Sequence, residues 1–350
     1  MAAPKIYRHT DPGAPQLSAS MTTPTQLFEL LKAVLVTGYG DKLGAGWALV
    51  HETARAVWFR NASGTGNVGF YQMPGGNGYD YRIYLIESID PNPTGDIPAG
   101  TNRRSGRFSL AYTSTAQWQT FMLYMNGVAG GCVWTVAADS DTMILTATGK
   151  KLVQTSSGSS WPNQLRLALY VGNTVGGRFI SLGGVATNGS YSGLCPFGGC
   201  YVSAAATTSG PPSATTLRDP ITGLVPPDSA PAPVLDWYGQ YSSSAPSSPA
   251  GNSWYLSGLR VPTEVALEWP ELNYGGNPTG DRMKGVAIPR GLESLHFQYS
   301  YKFLQGSELT DVNQMLSPAE HPVYGQIIPF GGDEWVSSTF WLMLDPAWWG

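Results

Sequence analysis

Apolar positions recur at every second residue along much of this chain. In residues 79–86, Tyr79, Tyr81, Ile83 and Leu85 fall on one face while Asp80, Arg82 and Tyr84 fall on the other. Side chains alternate across a strand, so this pattern predicts a half-buried antiparallel sheet. Short apolar or alternating runs bounded by Gly, Pro, Asn and Asp predict further strands at 56–59, 108–112, 120–126 and 133–137. A second set begins where Leu165, Leu167, Leu169 and Val171 alternate with Arg166, Ala168 and Tyr170. It continues at 178–182, 264–269, 297–303 and 336–344.

One stretch departs from this period. Thr23 can cap backbone donors, Pro24 suits a first helical turn, and Leu27, Phe28, Leu31 and Val34 follow at helical spacing. The helix must end before Gly38 or Gly40. Ahead of it, residues 1–20 are polar and broken by Pro4, Pro12, Gly13 and Pro15, which reads as an extended arm lying on a neighbour and not as part of the core.

These elements predict an all-β protein of antiparallel, sandwich or jelly-roll-like sheets with an N-terminal arm and one short helix. The 350 residues exceed the usual size of a single domain, so two sandwich domains are expected. Residues 21–158 would form the helix and first β domain, with a boundary near 155–161. Residues 159–350 would form the second, carrying long loops rich in Ser, Pro, Thr and Ala at 203–233 and 242–253.

Composition narrows the function. The chain holds 12 Trp, 18 Tyr and 43 Gly, yet only 13% of its residues are charged and its formal net charge is -4. That balance lacks the basic footprint that phosphate neutralisation requires, which argues against a nucleic-acid partner. No run approaches the roughly 20 apolar residues that span a bilayer, and residues 1–20 lack the pattern of a secretory signal. Synthesis and folding in a cytoplasm are the expectation. Cys132, Cys195 and Cys200 form no even framework, in keeping with a reducing compartment, and spacing leaves open a bond between Cys195 and Cys200 after release into oxidising surroundings.

Candidate chemistry is sparse. Gly64-Thr-Gly66-Asn-Val-Gly69 matches a dinucleotide fingerprint, but the Phe70-Tyr-Gln-Met-Pro-Gly-Gly that follows cannot form the helix that would receive a pyrophosphate, so a hairpin turn is the better reading. Three cysteines with His9, His51, His296 and His321 scattered along the chain do not make a zinc set. Asp80, Glu87, Asp96, Glu264, Glu268, Glu271 and Asp281 offer carboxylates for glycoside hydrolysis, yet nothing marks a pair, and solvated hairpin charges are the plainer account. Trp237, Tyr238, Trp254, Tyr255 and Tyr274 could stack on sugar rings, although core or interface positions suit them better. Near the end of the sequence, Trp341, Trp348 and Trp349 are too apolar to face water and must be covered, for which an intersubunit pocket is the expectation. No catalytic, cofactor or metal residue is assigned.

Several segments resemble a known family. Tyr7-Arg-His-Thr-Asp-Pro-Gly-Ala-Pro-Gln-Leu-Ser-Ala, Leu27-Phe-Glu-Leu-Leu-Lys-Ala-Val-Leu-Val-Thr-Gly-Tyr-Gly40 and Gly44-Ala-Gly-Trp47 resemble the N-terminus of virion structural proteins of tailed bacteriophages and prophages. The order of Ala56-Val-Trp-Phe-Arg60, Tyr81-Arg-Ile-Tyr-Leu-Ile-Glu-Ser88, Gly177-Arg-Phe-Ile-Ser181 and Pro322-Val-Tyr-Gly-Gln326 is also similar. The resemblance implies no enzyme and no cofactor, but a virion subunit of tail, tail tip or baseplate, made in the bacterial host cytoplasm and held by contacts with other copies and other virion proteins. Tyr7, Pro12, Leu17, Trp341, Trp348 and Trp349 are then the expected assembly contacts. The alternatives are a lectin-like module recognising host-surface glycans and a capsid decoration protein.

Overall fold

The computed structural model describes residues 3–17, 25–72, 80–105, 120–122, 132–149, 166–185, 214–218, 223–224, 234–235, 263–270, 276–288, 318–321, 325–333 and 336–350. Antiparallel sheets dominate them, with one short helix. The first sheet runs in the order β1 (Lys5–Arg8), β10 (Cys132–Ala138), β11 (Thr142–Gly149), β12 (Arg166–Asn173), β13 (Phe179–Val185) and β14 (Ala214–Thr216). The second places β2 (Ala48–Glu52), β3 (Ala56–Arg60), β4 (Asn67–Gln72), β5 (Asp80–Ile86) and β8 (Arg104–Ser105) side by side, and β9 (Thr120–Met122) also pairs with β5. The third runs β15 (Val234–Leu235), β16 (Thr263–Pro270), β17 (Gly276–Ile288), β20 (Val336–Met343), β19 (Gly325–Asp333) and β18 (Ala319–His321). A small ribbon joins β6 (Ser88–Ile89) to β7 (Gly100–Thr101).

Period-two patterning decides which face goes where. Val57 and Phe59 of β3, Val68 and Phe70 of β4, and Ile83 and Leu85 of β5 enter one large cluster, where they meet Trp134, Val136, Met143, Leu145, Leu169 and Val171 of the first sheet. Helix α1 (Thr25–Lys32) adds Leu27, Phe28, Leu30 and Leu31 to the same cluster. The alternate residues of the second sheet, Ala56, Trp58, Tyr84 and Ile86, form a separate cluster covered by Ile89 and Ile97. The Ile83-to-Ile86 stretch is therefore buried on both faces and not half-buried as its alternation predicts. Tyr84 is the reason, because an aromatic ring on the polar side of the pattern can be covered as readily as exposed.

Helix α1 continues into a π-helical turn at Ala33–Thr37, which Gly38 ends at φ 81. The expected limit before Gly38 is met, whereas Thr23 and Pro24 lie outside the described residues. The expected strands near 56, 79, 133, 165, 178, 264 and 336 appear as β3, β5, β10, β12, β13, β16 and β20. The glycine fingerprint lies on a hairpin: β3 and β4 pair across residues 61–66, and Asn67 and Gly69 already belong to β4. Strands expected at 108–112 and 297–303 fall outside the described residues. Strands β11 and β12, which lie on either side of the expected domain boundary in sequence, are hydrogen-bonded neighbours in the first sheet.

The third sheet meets the first through polar groups. The Asp281 carboxylate on β17 accepts hydrogen bonds from Thr174 Oγ1 at 2.5 Å, the Gly176 amide at 2.8 Å, the Arg282 amide at 2.8 Å and the Arg178 guanidinium at 3.2 Å. Its side chain is only 1% exposed, so these donors replace the water it has lost. Beside it, Lys284 bonds the Asp139 carboxylate at 3.3 Å and the buried Tyr170 hydroxyl accepts from the Lys284 amide at 3.3 Å.

Two left-handed glycines give a test of where backbone freedom matters. A Cβ on Gly38 would strike the Lys42 carbonyl and crowd Gly44, whereas one on Gly95, at φ +70, would meet nothing within 4 Å. Gly95→Ala is expected to cost about 1 kcal/mol from conformation alone. Gly38→Ala is expected to cost more than twice as much; chemical unfolding midpoints of the two variants measure the difference.

Candidate functional site at the amino-terminal segment

The segment that its sequence reads as an arm is held by hydrogen bonds on both edges. Its seat begins at the π-helical turn. Gly38 N–H reaches back to the Ala33 carbonyl at 2.7 Å, and this wider turn leaves the Val34 and Leu35 carbonyls to be satisfied elsewhere. Ala45 N–H takes the first at 2.8 Å, and Gly46 and Trp47 N–H take the second, both at 3.0 Å. Gly44 has no room for a side chain, since a Cβ there would run into the Val36 carbonyl. The loop from Gly38 to Trp47 is thereby fixed at its far end, with Trp47 buried and its indole N–H on the Asp139 carbonyl at 3.1 Å.

That loop holds β1. Strand β1 pairs with β10 from Lys5 opposite Ala138 to Arg8 opposite Thr135. The Ile6 and Arg8 main-chain groups alternate away from β10 and would be left as an open edge. Lys42 Nζ donates to the Ile6 carbonyl at 2.7 Å, and the Arg8 amide donates to the Asp11 carboxylate at 2.7 Å and the Tyr39 hydroxyl at 3.1 Å. Lys5 Nζ donates to the Gly44 carbonyl at 2.6 Å and Tyr7 Oη to the Leu43 carbonyl at 2.7 Å. Between β10 and the loop lies a slot that binds main chain on both sides.

Asp11 is the electrostatic centre of the slot. One oxygen, Oδ2, accepts from Lys42 Nζ at 2.6 Å, from Tyr39 Oη at 2.9 Å and from the Arg8 amide. Burial alone would raise its pKa, but the Lys42 ammonium, the amide and the hydroxyl outweigh that and hold the carboxyl below its ordinary value. Burial pushes the Tyr7 and Tyr39 phenols far up, that of Tyr39 further because it donates to the Asp11 carboxylate, so both remain donors at neutral pH.

The expected contact residues separate on this geometry. Tyr7 and Leu17 are buried in the main core of their own chain, where Tyr7 packs on Tyr39 at 5.9 Å and Tyr39 meets Trp134 edge-on at 6.3 Å. The arm expected outside the core thus contributes a strand and two core residues, because its proline-marked turns sit between anchors that sequence spacing does not connect. Pro12 is exposed, and its carbonyl lies against Gly40. Trp341 is fully buried in the third sheet with Ala287, Ile327 and Met343, and Trp348 packs half-buried on that group. Trp349 is covered by its own chain: its ring lies on Gly285, and its indole N–H bonds the Met343 carbonyl at 2.7 Å. Lys42, Asp11 and Tyr39 were not singled out from sequence, although the closely spaced glycines around Tyr39 signal a backbone under close approach.

Three of the candidate acids are internally paired, while Glu271 lies outside the described residues. Besides Asp281, Glu87 meets Arg218 and Asn102, and Asp96 accepts from Thr53 at 2.5 Å. Asn102, at φ 48 the one non-glycine residue of positive φ among the described residues, also donates to the Leu217 carbonyl at 2.6 Å. The described residues contain no group of three His, Cys, Asp or Glu side chains that could hold a metal. Cys195, Cys200 and the aromatics at 237, 238, 254, 255 and 274 lie outside the described residues.

Because Asp11 is depressed by folding, its contribution to stability is complete above the ordinary carboxylate range and is lost as pH falls through its lowered folded value. Asp11→Asn is expected to lower the thermal midpoint at neutral pH, and the gap from wild type should close in acid; melting curves across pH 2 to 7 provide the check. Trp349→Ala, which empties a buried ring site, is expected to cost about 3–5 kcal/mol, read from the denaturant midpoint, with a smaller loss for Trp348→Ala. No family model, curated protein or solved structure matches this chain.

Proposed function

We propose that this chain is a structural subunit of a tailed-bacteriophage virion, in the tail, tail tip or baseplate, working through contacts with other copies and other virion proteins. The observation that carries the reading is spatial. Three of the stretches that bear the resemblance, over their described residues 7–17, 27–40 and 44–47, come together as one unit: Asp11 bonds Tyr39 and Lys42, Gly44 backs onto Val36, and Trp47 enters the core beside α1. A resemblance carried by residues that contact one another reports a shared piece of fold better than scattered similarity does.

The architecture supports the same use. Large aromatic-rich antiparallel sheets with few charges make broad, rigid faces suited to permanent contacts. Within this proposal the first and second sheets, which share one core, are the two layers of a sandwich-like unit, and the third sheet with its own cluster is a second unit. Their junction then lies at the Asp281 contacts and not at residue 158. The protein acts by assembly, without substrate turnover.

Mass spectrometry of density-purified particles, with localisation in an electron-microscopy map, tests the reading. The expected result is the chain at a fixed, stoichiometric copy number per particle. Absence from particles, or measurable turnover by the free monomer, overturns it.

A further inference from the structure

We infer that β1 is an exchangeable strand: the slot between β10 and the Gly38–Trp47 loop accepts residues 5–11, β1 with Asp11, from a second copy of the chain through the same contacts it makes to its own. The inference rests on the assembly reading above and says how two copies would be joined. In the first sheet, β10 to β14 are consecutive strands lying side by side, each held next to its neighbour by the chain that links them. Strand β1 alone enters from far away, its ladder continuing to His9 on Trp134, 125 residues distant in sequence. Seating it within the same chain carries the entropy of closing the connection from β1 to its own Gly38–Trp47 loop, already docked on the first sheet by Trp47, whereas seating it on another copy carries the entropy of association instead. The contacts themselves are equal in the two cases, so concentration decides between them.

The chemistry of the slot fits such an occupant. It reads main chain on both edges: the β10 ladder on one side, and Lys42 on the Ile6 carbonyl and Tyr39 on the Arg8 amide on the other. Any extended strand would satisfy that part. Selection for this chain's own segment comes from Tyr7, whose buried ring puts its hydroxyl on the Leu43 carbonyl, and from Asp11, whose carboxylate meets Tyr39 and Lys42. A second copy is therefore the partner that fits.

Ile6 and Ala137 are opposite one another in β1 and β10, in the non-hydrogen-bonded position. There Cα atoms lie about 4.5 Å apart, within the reach of a disulfide. Ile6→Cys on one tagged chain and Ala137→Cys on a differently tagged chain, refolded together at high concentration, cannot bond to each other within one molecule. The expected result is a reducible heterodimer that needs both new cysteines, above the background of each variant mixed with wild type. The double variant Ile6→Cys/Ala137→Cys on one chain controls for geometry, and light scattering on refolded wild type, which needs no cysteine, reads the mass directly. A wild-type chain that stays monomeric at every concentration overturns exchange, as does a dimer not joined through 6 and 137 while the double variant bonds within its own chain. A chain found in particles but never linked this way leaves the virion reading intact, so the two failures are told apart.

Discussion

The fold around the amino-terminal segment depends on two carbonyls. By widening into a π-helical turn, the end of α1 presents Val34 and Leu35 oxygens to the amides of Ala45, Gly46 and Trp47. Without that docking the loop would have no fixed end, Lys42 and Tyr39 would have no fixed position, and β1 would lie on β10 with one edge open. The sequence needs glycine at 38 and 44 for the same reason, since backbone packs directly on backbone at both places. Local helix irregularity and long-range strand placement are thus one interaction seen at its two ends.

Turns of the first and second sheets are bound to one another by short polar side chains. Thr65 Oγ1 donates to Asn173 Oδ1 at 2.6 Å, Asn173 Nδ2 to Ser63 Oγ at 3.0 Å, and Asp141 Oδ1 accepts the Ser63 amide at 2.9 Å. These bonds lock the β3–β4 hairpin onto the β10–β11 and β12–β13 turns at one end of the core. Edges are treated with equal care. Strand β2 carries an irregularity between Leu49 and His51, β1 is capped by the loop, and β14, β15 and β18 are two or three residues long. Such devices discourage sheets from growing by uncontrolled pairing.

Much of the strand content was legible because hydrophobic burial imposes period two wherever one face meets a core. Val57 and Phe59 of β3, which face the main core while Ala56 and Trp58 face the other cluster, show the alternation. Val133 to Ala137 was legible instead as an apolar run, buried on both faces, and the helix ends at Gly38, one of the two glycines expected to limit it. Strand β1 was hidden: Lys-Ile-Tyr-Arg is too short to display a period, and its partner lies on β10, far along the chain. The terminal tryptophans illustrate a different limit. Their apolar area said that something must cover them, but only the fold reveals that Gly285 and Met343 of the same chain do so. Asp281 read as one surface acid among many, because three of its four donors come from a turn that sequence distance separates from it.

That carboxylate also sets the character of the junction it occupies. A contact made chiefly of oil tolerates sliding, since one greasy arrangement is nearly as good as the next; a single anion gripped by three directed donors from across the junction does not. The directed bonds from the β12–β13 turn therefore favour one register of β17 against that turn, as a notch does for a key.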